Sequence, residues 1–401
     1  MAGAYRPAPD GEDICVFPAA DDAAAAANLA AQTTSALARL AGLTSDAPPP
    51  PGLKPYTGFA GAVALDAPAK LLAAQMDAAI RVAIIEEERR RRAETLASLD
   101  IPEPRPLDPR KLRALYIGAP SAMFLALERA FTEQSGLVAA AFSSYAGFDH
   151  LHDEPFDAVV LNGAQDSATA ISLCAALRRN AQLYHLPTMV VTAPGDNATA
   201  SAAVERGASA TTAYNAPCGP SLGWLFEAIR RERRRRMAEH DIRAMRDLMG
   251  DSRAGLFKRA PFDAHLARLA TDHHASGRPM ALAVLRVVTA PGARDPSPQA
   301  WQRGFNEIAS LAARLMRDAD TGAAVGGDLI AIALPAADLR AAKRTAERIA
   351  SVAECTAFAS GDAGLGPLVF EQSAVELQPG ESGAGMLARA LRAIEVESIP
   401  A

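Results

Sequence analysis

The sequence is poor in aromatic residues and has no paired cysteines. Phe, Trp and Tyr make up only 5% of the 401 residues, too few for the stacking platforms that bind single-stranded nucleic acid. The four cysteines, Cys15, Cys174, Cys218 and Cys355, stand far apart and form no CxxC pair. This spacing indicates free thiols in a reducing cytoplasm rather than a disulfide framework or a zinc site.

Long apolar runs and a strong net charge are also absent. No apolar stretch approaches the roughly 20 residues that span a bilayer, and the N-terminus lacks a basic segment followed by an apolar one. The net charge of −5 is unlike that of a nucleic-acid-binding protein. We therefore expect a cytoplasmic protein without a signal peptide, which binds no nucleic acid and does not insert into a membrane.

Two arginine-rich segments mark the chain. IEEERRRRAE occupies residues 85–94 and IRRERRRRMAE occupies residues 229–239, and each ends a long helical pattern. Contact with nucleic acid or acidic lipid is one interpretation. We expect solvated helix ends instead, because like-charge blocks are usually exposed and arginine favours the helix C-terminus. Apolar residues at helical spacing over 225–249 indicate a helix that pairs with its copy, which predicts a homodimer.

The hydrophobic patterns predict three modules. Over residues 111–236, short apolar strands alternate with amphipathic helices, the pattern of a flavodoxin-like doubly wound α/β domain with a parallel sheet. Residues 1–98 have too few strands for a complete sheet and are interpreted as a truncated copy of that module, with an Ala-rich helix over 21–42. Residues 250–396 form a third α/β module with hairpin elements and a helix over 301–318.

The third module contains several motifs in a fixed order. DSRAGLFKRAPF (251–262) is followed by GGDLI (326–330) and then by AERI (346–349). In this order they resemble the GGDEF domain of the diguanylate cyclase family. The opening motif of that family is matched by Asp251, Gly255, Leu256, Phe257, Arg259 and Phe262. The resemblance implies a GGDEF-type α/β fold, and Ala254 and Lys258 depart from the pattern.

The residues that a cyclase needs are replaced. Joining two GTP molecules requires a divalent cation held by carboxylates. The resemblance implies one carboxylate at the end of the strand LAVLRV and an acidic fourth signature residue, where this sequence has Arg286 and Leu329. The guanine-reading segment is also changed, near Trp301 and Gln302. We therefore expect no catalytic residue, no metal and no cyclase activity.

What remains of the signature is degenerate. It consists of Gly326, Gly327, Asp328, Leu329 and Ile330. The two glycines are expected to persist because a tight hairpin needs backbone conformations that glycine adopts at little cost. Asp328 is expected to serve the same turn.

A second site of the same family is retained in residue type and spacing. Arg317 and Asp320 form an R-x-x-D whose Asp lies six residues before Gly326, and Arg348 supplies a further basic residue. The resemblance implies that these residues bind cyclic di-GMP. Arginine pairs with phosphate or with a guanine edge, and a carboxylate accepts from guanine N–H groups. The alternative is a surface Arg–Asp pair at a helix end.

The middle module resembles a response-regulator receiver domain. The resemblance places the acidic pair at Gly118 and Ala119, the phosphoacceptor at Asn162 and the lysine at Ala216. Asparagine cannot form an acyl phosphate, and without the acidic pair no metal-dependent phosphotransfer is expected. The module is thus interpreted as a pseudo-receiver that has lost its phosphoacceptor.

The order of modules resembles PleD-like response regulators and, with the R-x-x-D retained, PopA-like cyclic di-GMP effectors. The resemblance implies two-component signalling in the bacterial cell cycle, recruitment of protein partners and a polar position in the cell. We expect a non-catalytic cyclic di-GMP-binding effector that requires no cofactor. The alternatives are an active or conditionally active diguanylate cyclase, and a protein scaffold without a ligand.

Overall fold

A computed structural model describes most of the chain. The described residues are 14–18, 37–49, 52, 59–107, 110–216, 218–251, 254–356, 360–361 and 366–397. The chain divides into two compact units, which we name after their larger sheets. The five-stranded unit contains the described residues of Asp13–Ala83 and Leu107–Met237, and the seven-stranded unit contains those of Ile84–Pro106 and Ala238–Ala401. The boundaries of the three modules inferred from sequence stay a prediction.

The five-stranded unit begins with a small parallel sheet. Its strands are β1 (Ile14–Pro18), β2 (Ala38–Leu43) and β3 (Gly61–Ala64). Helix α1 (Ala69–Ser98) follows, and its residues 84–98 belong to the seven-stranded unit. The Ala-rich helix expected over 21–42 is therefore wrong at its end, while residues 19–36 lie outside the described residues. Leu40 and Ala41 are fully buried between the neighbouring strands, so strand pairing overrides the helix propensity of alanine here.

The larger sheet of this unit is entirely parallel. Its strands are β4 (Arg113–Ile117), β5 (Leu137–Ala141), β6 (Ala158–Asn162), β7 (Thr188–Thr192) and β8 (Ala210–Ala213). The connecting helices are α2 (Ala122–Glu133), α3 (Ser144–Asp153), α4 (Ser167–Arg179) and α5 (Asn197–Glu205). The spatial order β5-β4-β6-β7-β8 is the doubly wound order 2-1-3-4-5, which confirms the prediction of a doubly wound parallel sheet.

The arginine-rich segments are not solvated helix ends. Helix α1 continues past the first segment to Ser98, and helix α6 (Cys218–Met249) continues past the second. Arg92 has 1% of its surface exposed, and Arg231 has 8%. Buried arginines require acidic or carbonyl partners nearby, and the acids one turn earlier on each helix supply them. The expectation failed because it considered the charge of each segment but not these neighbouring acids.

In the five-stranded unit, the second segment joins α6 to the small sheet. The Glu227 carboxylate accepts from Arg230 Nη2 at 2.6 Å, from Arg231 Nη2 at 3.3 Å and from the backbone N–H of Ala62 at 3.0 Å. A Cβ atom at Gly61 would lie 2.6 Å from Glu227 Oε1, so the strand approaches this carboxylate closely because position 61 is glycine.

The seven-stranded unit contains a mixed sheet. Its strands are β9 (Gly250–Asp251), β10 (Leu256–Phe257), β11 (Met280–Thr289), β12 (Thr321–Ala324), β13 (Leu329–Pro335), β14 (Ser360–Gly361) and β15 (Gly366–Glu376). Its helices are α7 (Arg259–Ser276), α8 (Pro298–Leu315), α9 (Leu339–Glu354) and α10 (Gly383–Glu397). The strand order is β14-β15-β11-β13-β12-β10-β9, and β11 runs antiparallel to both β13 and β15.

Local signals fix several of these boundaries. Ser297 caps α8 through a side-chain bond to the Ala300 N–H, with Pro298 at the first helical position. Gly277 ends α7 in the left-handed conformation at φ 66°. Most apolar side chains of α6 that suggested a dimer, such as Ile242 and Met245, are buried within this chain, whereas Met237 is 45% exposed, so the homodimer stays a prediction. Among the described residues, no helix is long and apolar enough to cross a membrane.

Candidate functional site

The R-x-x-D residues lie in a turn rather than on a helix. Helix α8 ends at Leu315 because Met316 takes an extended conformation at ψ 158°, so the helix predicted over 301–318 begins and ends three residues too late. The Arg317 N–H donates to Asp320 Oδ2 at 2.9 Å, and the Asp320 N–H donates to the Arg317 carbonyl at 3.0 Å. The turn is therefore closed by the backbone and one carboxylate, and the alternative of an Arg–Asp pair on a helix surface does not describe it.

A cavity of about 340 Å³ opens beside this turn. Five arginines line it: Arg92, Arg243, Arg246, Arg314 and Arg317. The acidic side chains in its wall are those of Asp318 and Asp320. The excess of positive charge in a concave site favours an anionic ligand.

The arginines of the cavity differ in what they already bind. Arg243 forms a two-bond ion pair with Asp318, with Nη2 and Oδ2 2.6 Å apart. The guanidinium groups of Arg314 and Arg317 are exposed, and neither forms a hydrogen bond or ion pair with any residue that the structure describes. These two groups can donate to a ligand without breaking an internal pair.

Asp320 is buried and has an altered acidity. Burial raises the pKa of its carboxyl group from 3.8 to about 6, although the N–H and the charge of Arg317 oppose the change. The negative charge of Glu88 raises the pKa further, and that of Arg348 opposes it. The carboxylate is thus ionised at neutral pH but titrates only slightly below it.

Arg348 lies beside the turn and outside the cavity wall. It projects from α9, and its Nη2 donates at 2.9 Å to the carbonyl of Leu315, which is the last residue of α8. Its charge acts on Asp320, so the structure brings the three predicted binding residues into one neighbourhood. Arg317 and Asp320 line the cavity itself.

The signature region contains a cation of its own. Arg286 on β11 pairs in register with Leu329 on one side and Glu371 on the other. Its Nε lies 3.1 Å from Asp328 Oδ2, and its Nη1 lies 3.7 Å from Glu371 Oε2. A guanidinium group and a leucine side chain cannot ligate a divalent cation. The residues present therefore do not fit the metal that the cyclase family implies.

The two signature glycines are not explained by the turn. Neither Gly326 nor Gly327 has a left-handed φ, and a Cβ atom at Gly327 would meet nothing within 4 Å. The expectation that only glycine fits this hairpin is therefore wrong. Asp328 forms the ion pair with Arg286, and Trp301 Nε1 donates to the Gly327 carbonyl at 2.9 Å. A Cβ atom at Gly326 would lie 3.3 Å from Leu329 Cδ1, which is a tight contact, but the structure gives no physical reason for glycine at position 327.

Asn162, the position that the receiver resemblance assigns to a phosphoacceptor, takes part in a hydrogen-bond network. Asn162 Nδ2 donates to the Ala119 carbonyl at 2.9 Å, and Asn162 Oδ1 accepts from the Ala164 N–H at 3.2 Å. The Tyr116 hydroxyl donates to the same Ala119 carbonyl at 2.8 Å. Within the part of the chain that the structure describes, no group of three or more His, Cys, Asp and Glu residues could hold a metal ion.

Sequence reasoning missed Arg92 as a cavity residue. Arg92 lies more than 200 positions before Arg317, in a segment interpreted as solvated. A signal was available, because Glu88 precedes Arg92 by four residues and thus shares its helix face.

No family model and no curated protein matches the sequence. The structure is similar to the GGDEF domain of DgcB from Caulobacter crescentus in complex with c-di-GMP, at 21% identity over 37% of this chain and 89% of that chain, with a TM-score of 0.31. It is also similar to the FimX GGDEF domain from Pseudomonas aeruginosa, at 16% identity over 37% and 92%, with a TM-score of 0.31. A protein described as a response regulator from Chloroflexus aurantiacus matches at 21% identity over 26% and 85%, with a TM-score of 0.24. Likenesses at this level establish no function for this chain.

Proposed function

We propose that this chain is a non-catalytic cyclic di-GMP receptor that recruits protein partners when the nucleotide binds. On this proposal, residues 250–396 are a degenerate GGDEF domain and residues 111–236 a pseudo-receiver. The observation that carries the proposal is the cavity beside Arg317 and Asp320, whose wall contains five arginines. Cell-cycle signalling, a homodimer and a polar position belong to the same proposal.

The chemistry of the cavity suits this ligand. Cyclic di-GMP carries two phosphodiester charges, and the guanidinium groups of Arg314 and Arg317 offer donors that no described residue occupies. Asp320 is ionised at neutral pH and can accept from guanine N–H groups. These two properties together suit an anionic purine ligand.

The absence of catalysis in this proposal is supported by the signature region. Arg286 places a fixed positive charge where the reaction needs an exchangeable metal, and it forms an ion pair with the Asp328 carboxylate. Leu329 offers no ligand or base at the acidic position of the signature. A cyclase would need a metal-binding carboxylate in place of Arg286 and an acidic residue in place of Leu329.

Calorimetric titration with cyclic di-GMP tests the proposal. We expect the wild-type chain to bind, and Arg317→Ala to weaken binding by at least about tenfold because it removes a phosphate donor. Arg348→Ala should weaken binding less, since Arg348 lies outside the cavity wall. Arg344→Ala, an exposed arginine one turn earlier on α9, is the control and should bind as the wild type does. No binding would favour a scaffold without a ligand, and binding unchanged in Arg317→Ala would show that the nucleotide does not use this turn.

A separate incubation tests for cyclase activity. The chain is mixed with GTP and Mg²⁺ or Mn²⁺, and the products are separated by chromatography. We expect no cyclic di-GMP. Product that disappears in Asp328→Ala would identify an active cyclase and overturn the non-catalytic assignment.

A further inference from the structure

One wall of the cavity comes from a distant part of the sequence. Arg92 is 1% exposed and reaches the R-x-x-D turn from helix α1. Its Nη2 donates to the carbonyl of Asp318 at 2.9 Å and to the carbonyl of Asp320 at 3.0 Å, and it lies 3.3 Å from Thr321 Oγ1. A single nitrogen thus contacts the backbone on both sides of residue 319.

These contacts fix the direction of the binding groups. The carbonyls of Asp318 and Asp320 face Arg92, whereas the Asp320 carboxylate turns to the Arg317 N–H. Because each peptide unit is planar, holding two carbonyls limits rotation of the peptide planes between them. The positions of the Asp320 carboxylate and of the Arg317 backbone then depend on Arg92.

Arg92 is itself held from several directions. Its Nε donates to Glu88 Oε1 at 2.7 Å, its Nη1 donates to the Ile242 carbonyl at 3.1 Å, and its guanidinium carbon lies 5.4 Å from the centre of the Phe257 ring. Glu88 also lies 3.0 Å from His265 Nε2. Burial alone would raise the pKa of Glu88, but the charges of His265 and Arg92 lower it to about 2, so Glu88 remains an anion.

We propose that Arg92 is a positioning residue for this ligand site, and that nucleotide binding at Arg317 and Asp320 tightens the packing of α1 residues 84–98 within the seven-stranded unit. The identity of the nucleotide as cyclic di-GMP rests on the proposed function. The coupling follows from linkage: a ligand that favours the closed turn favours every contact that stabilises that turn, and the effect is reciprocal. Residues 84–98 then contribute to binding through the turn that Arg92 holds.

Arg92→Lys tests the positioning role. Lysine keeps the positive charge but cannot reproduce the planar, five-donor group that reaches Glu88 and the turn together. We expect the full-length Arg92→Lys variant to bind cyclic di-GMP at least about tenfold more weakly than the wild type. Arg90→Lys is the matched control, because Arg90 lies on the same helix, is largely exposed and pairs with Glu94 and Asp272. Its affinity should stay within about twofold of the wild type.

Hydrogen exchange supplies a readout that a merely structural role would not give. Cyclic di-GMP should slow amide exchange over residues 84–98 in the wild type and in Arg90→Lys, and fail to do so in Arg92→Lys at saturating ligand. Equal affinity in Arg92→Lys, or protection confined to residues 314–322 in the wild type, overturns the inference.

The outcomes separate this inference from the proposed function. If the wild type binds no cyclic di-GMP, the proposed function fails and the coupling to that nucleotide fails with it. The positioning role is then decided by exchange over residues 317–321 in the free protein, which should be faster in Arg92→Lys than in Arg90→Lys, and equal rates would overturn it. If Arg92→Lys does not fold, Glu88→Gln removes the ionic partner of Arg92 and should weaken binding by about threefold, while unchanged binding would count against the inference.

Discussion

Arg286 and Asp328 form an ion pair at the end of the β12–β13 hairpin, with Nε and Oδ2 3.1 Å apart. About a third of each side chain is exposed, so solvent screens the pair and it adds at most about 1 kcal/mol to stability. Its larger effect is on chemistry. The pair places a permanent positive charge between Asp328 and Glu371, and that charge opposes the entry of a divalent cation.

Replacing this cation should create a metal site. In Arg286→Asp, a third carboxylate would stand near Asp328 and Glu371, and their mutual repulsion is relieved when Mn²⁺ binds. We expect a Mn²⁺-dependent rise in melting temperature of about 2–4 °C for this variant and none for the wild type. Arg286→Asn removes the positive charge without adding a negative one, so its rise should be smaller. The same rise in wild type and variant would show that Arg286 does not exclude the metal.

Ligand affinity should depend on the ionisation of Asp320. Its pKa of about 6 in the free protein means that the carboxyl group is partly protonated in mildly acidic solution. A protonated carboxyl group loses the ability to accept two guanine N–H bonds, so binding should weaken about tenfold between about pH 7 and pH 5. Titrations in Asp320→Asn should be weaker throughout and nearly independent of pH over this range. A wild-type affinity that is flat with pH would mean that Asp320 does not contact the ligand in its ionised form.

Acid should destabilise the seven-stranded unit through His273. The neutral ring donates from Nδ1 to the Leu269 carbonyl and accepts at Nε2 from the Ala336 N–H. Burial, followed by the charge of Arg91, lowers the pKa of His273 from 6.5 to about 4. The contribution of the neutral His273 ring to the free energy of unfolding is complete above pH 6.5 and is lost as pH falls toward 4. The free energy of unfolding should fall by on the order of 3 kcal/mol over this range.

Denaturant unfolding at several pH values measures this effect. His273→Gln keeps polar atoms at the position but cannot titrate, so its stability should fall less than that of the wild type between pH 6.5 and pH 4. Asp320→Asn should change the profile in the opposite sense, because the raised pKa of Asp320 makes the wild-type fold less stable as pH rises from 3.8 to about 6. An unchanged profile in His273→Gln would contradict the assignment of a neutral, buried ring.

An aspartate at position 162 should not make the chain a substrate for phosphorylation. Asn162→Asp removes the Nδ2 donor to the Ala119 carbonyl and adds a charge, so we expect a loss of about 1–3 kcal/mol in the free energy of unfolding. Mass spectrometry after incubation with acetyl phosphate and Mg²⁺ should show no phosphorylated protein, because Gly118 and Ala119 supply no metal ligands. Asn180→Asp is the control, because the hydrogen bonds of the Asn180 side chain are accepted by Oδ1, from the N–H groups of Gln182 and Leu183. An aspartate can accept the same bonds, so the free energy of unfolding of this variant should hardly change. A phosphorylated Asn162→Asp would overturn this expectation.

The fold could be predicted from sequence where the local patterns were regular. Apolar strands alternating with helices over 111–236 were sufficient to predict the doubly wound sheet. Strand β2 was missed because its residues Ala38–Leu43 follow an Ala-rich run, and only pairing with β1 and β3 selects the extended form. Strand β12, with the sequence TGAA, has no apolar alternation and is defined by its pairing with β13.

The candidate site was predictable only where it is continuous in sequence. Arg317 and Asp320 are three residues apart, so one motif suggested both. Arg92 and Arg243 reach the same cavity from other segments, and their approach depends on tertiary packing that spacing does not encode. Burial of Arg92 was indicated only indirectly, by Glu88 on the same helix face.

The closure of the R-x-x-D turn has a consequence for how this protein can evolve. Asp320 holds the turn together through the Arg317 backbone, whereas the Arg317 side chain has no bonding role in the fold among the described residues. On the proposed function, substitution at 317 would abolish nucleotide binding while leaving expression and stability intact, whereas substitution at 320 alters the turn itself. A lineage that no longer needs the ligand would be expected to lose the arginine first and to keep the aspartate longer.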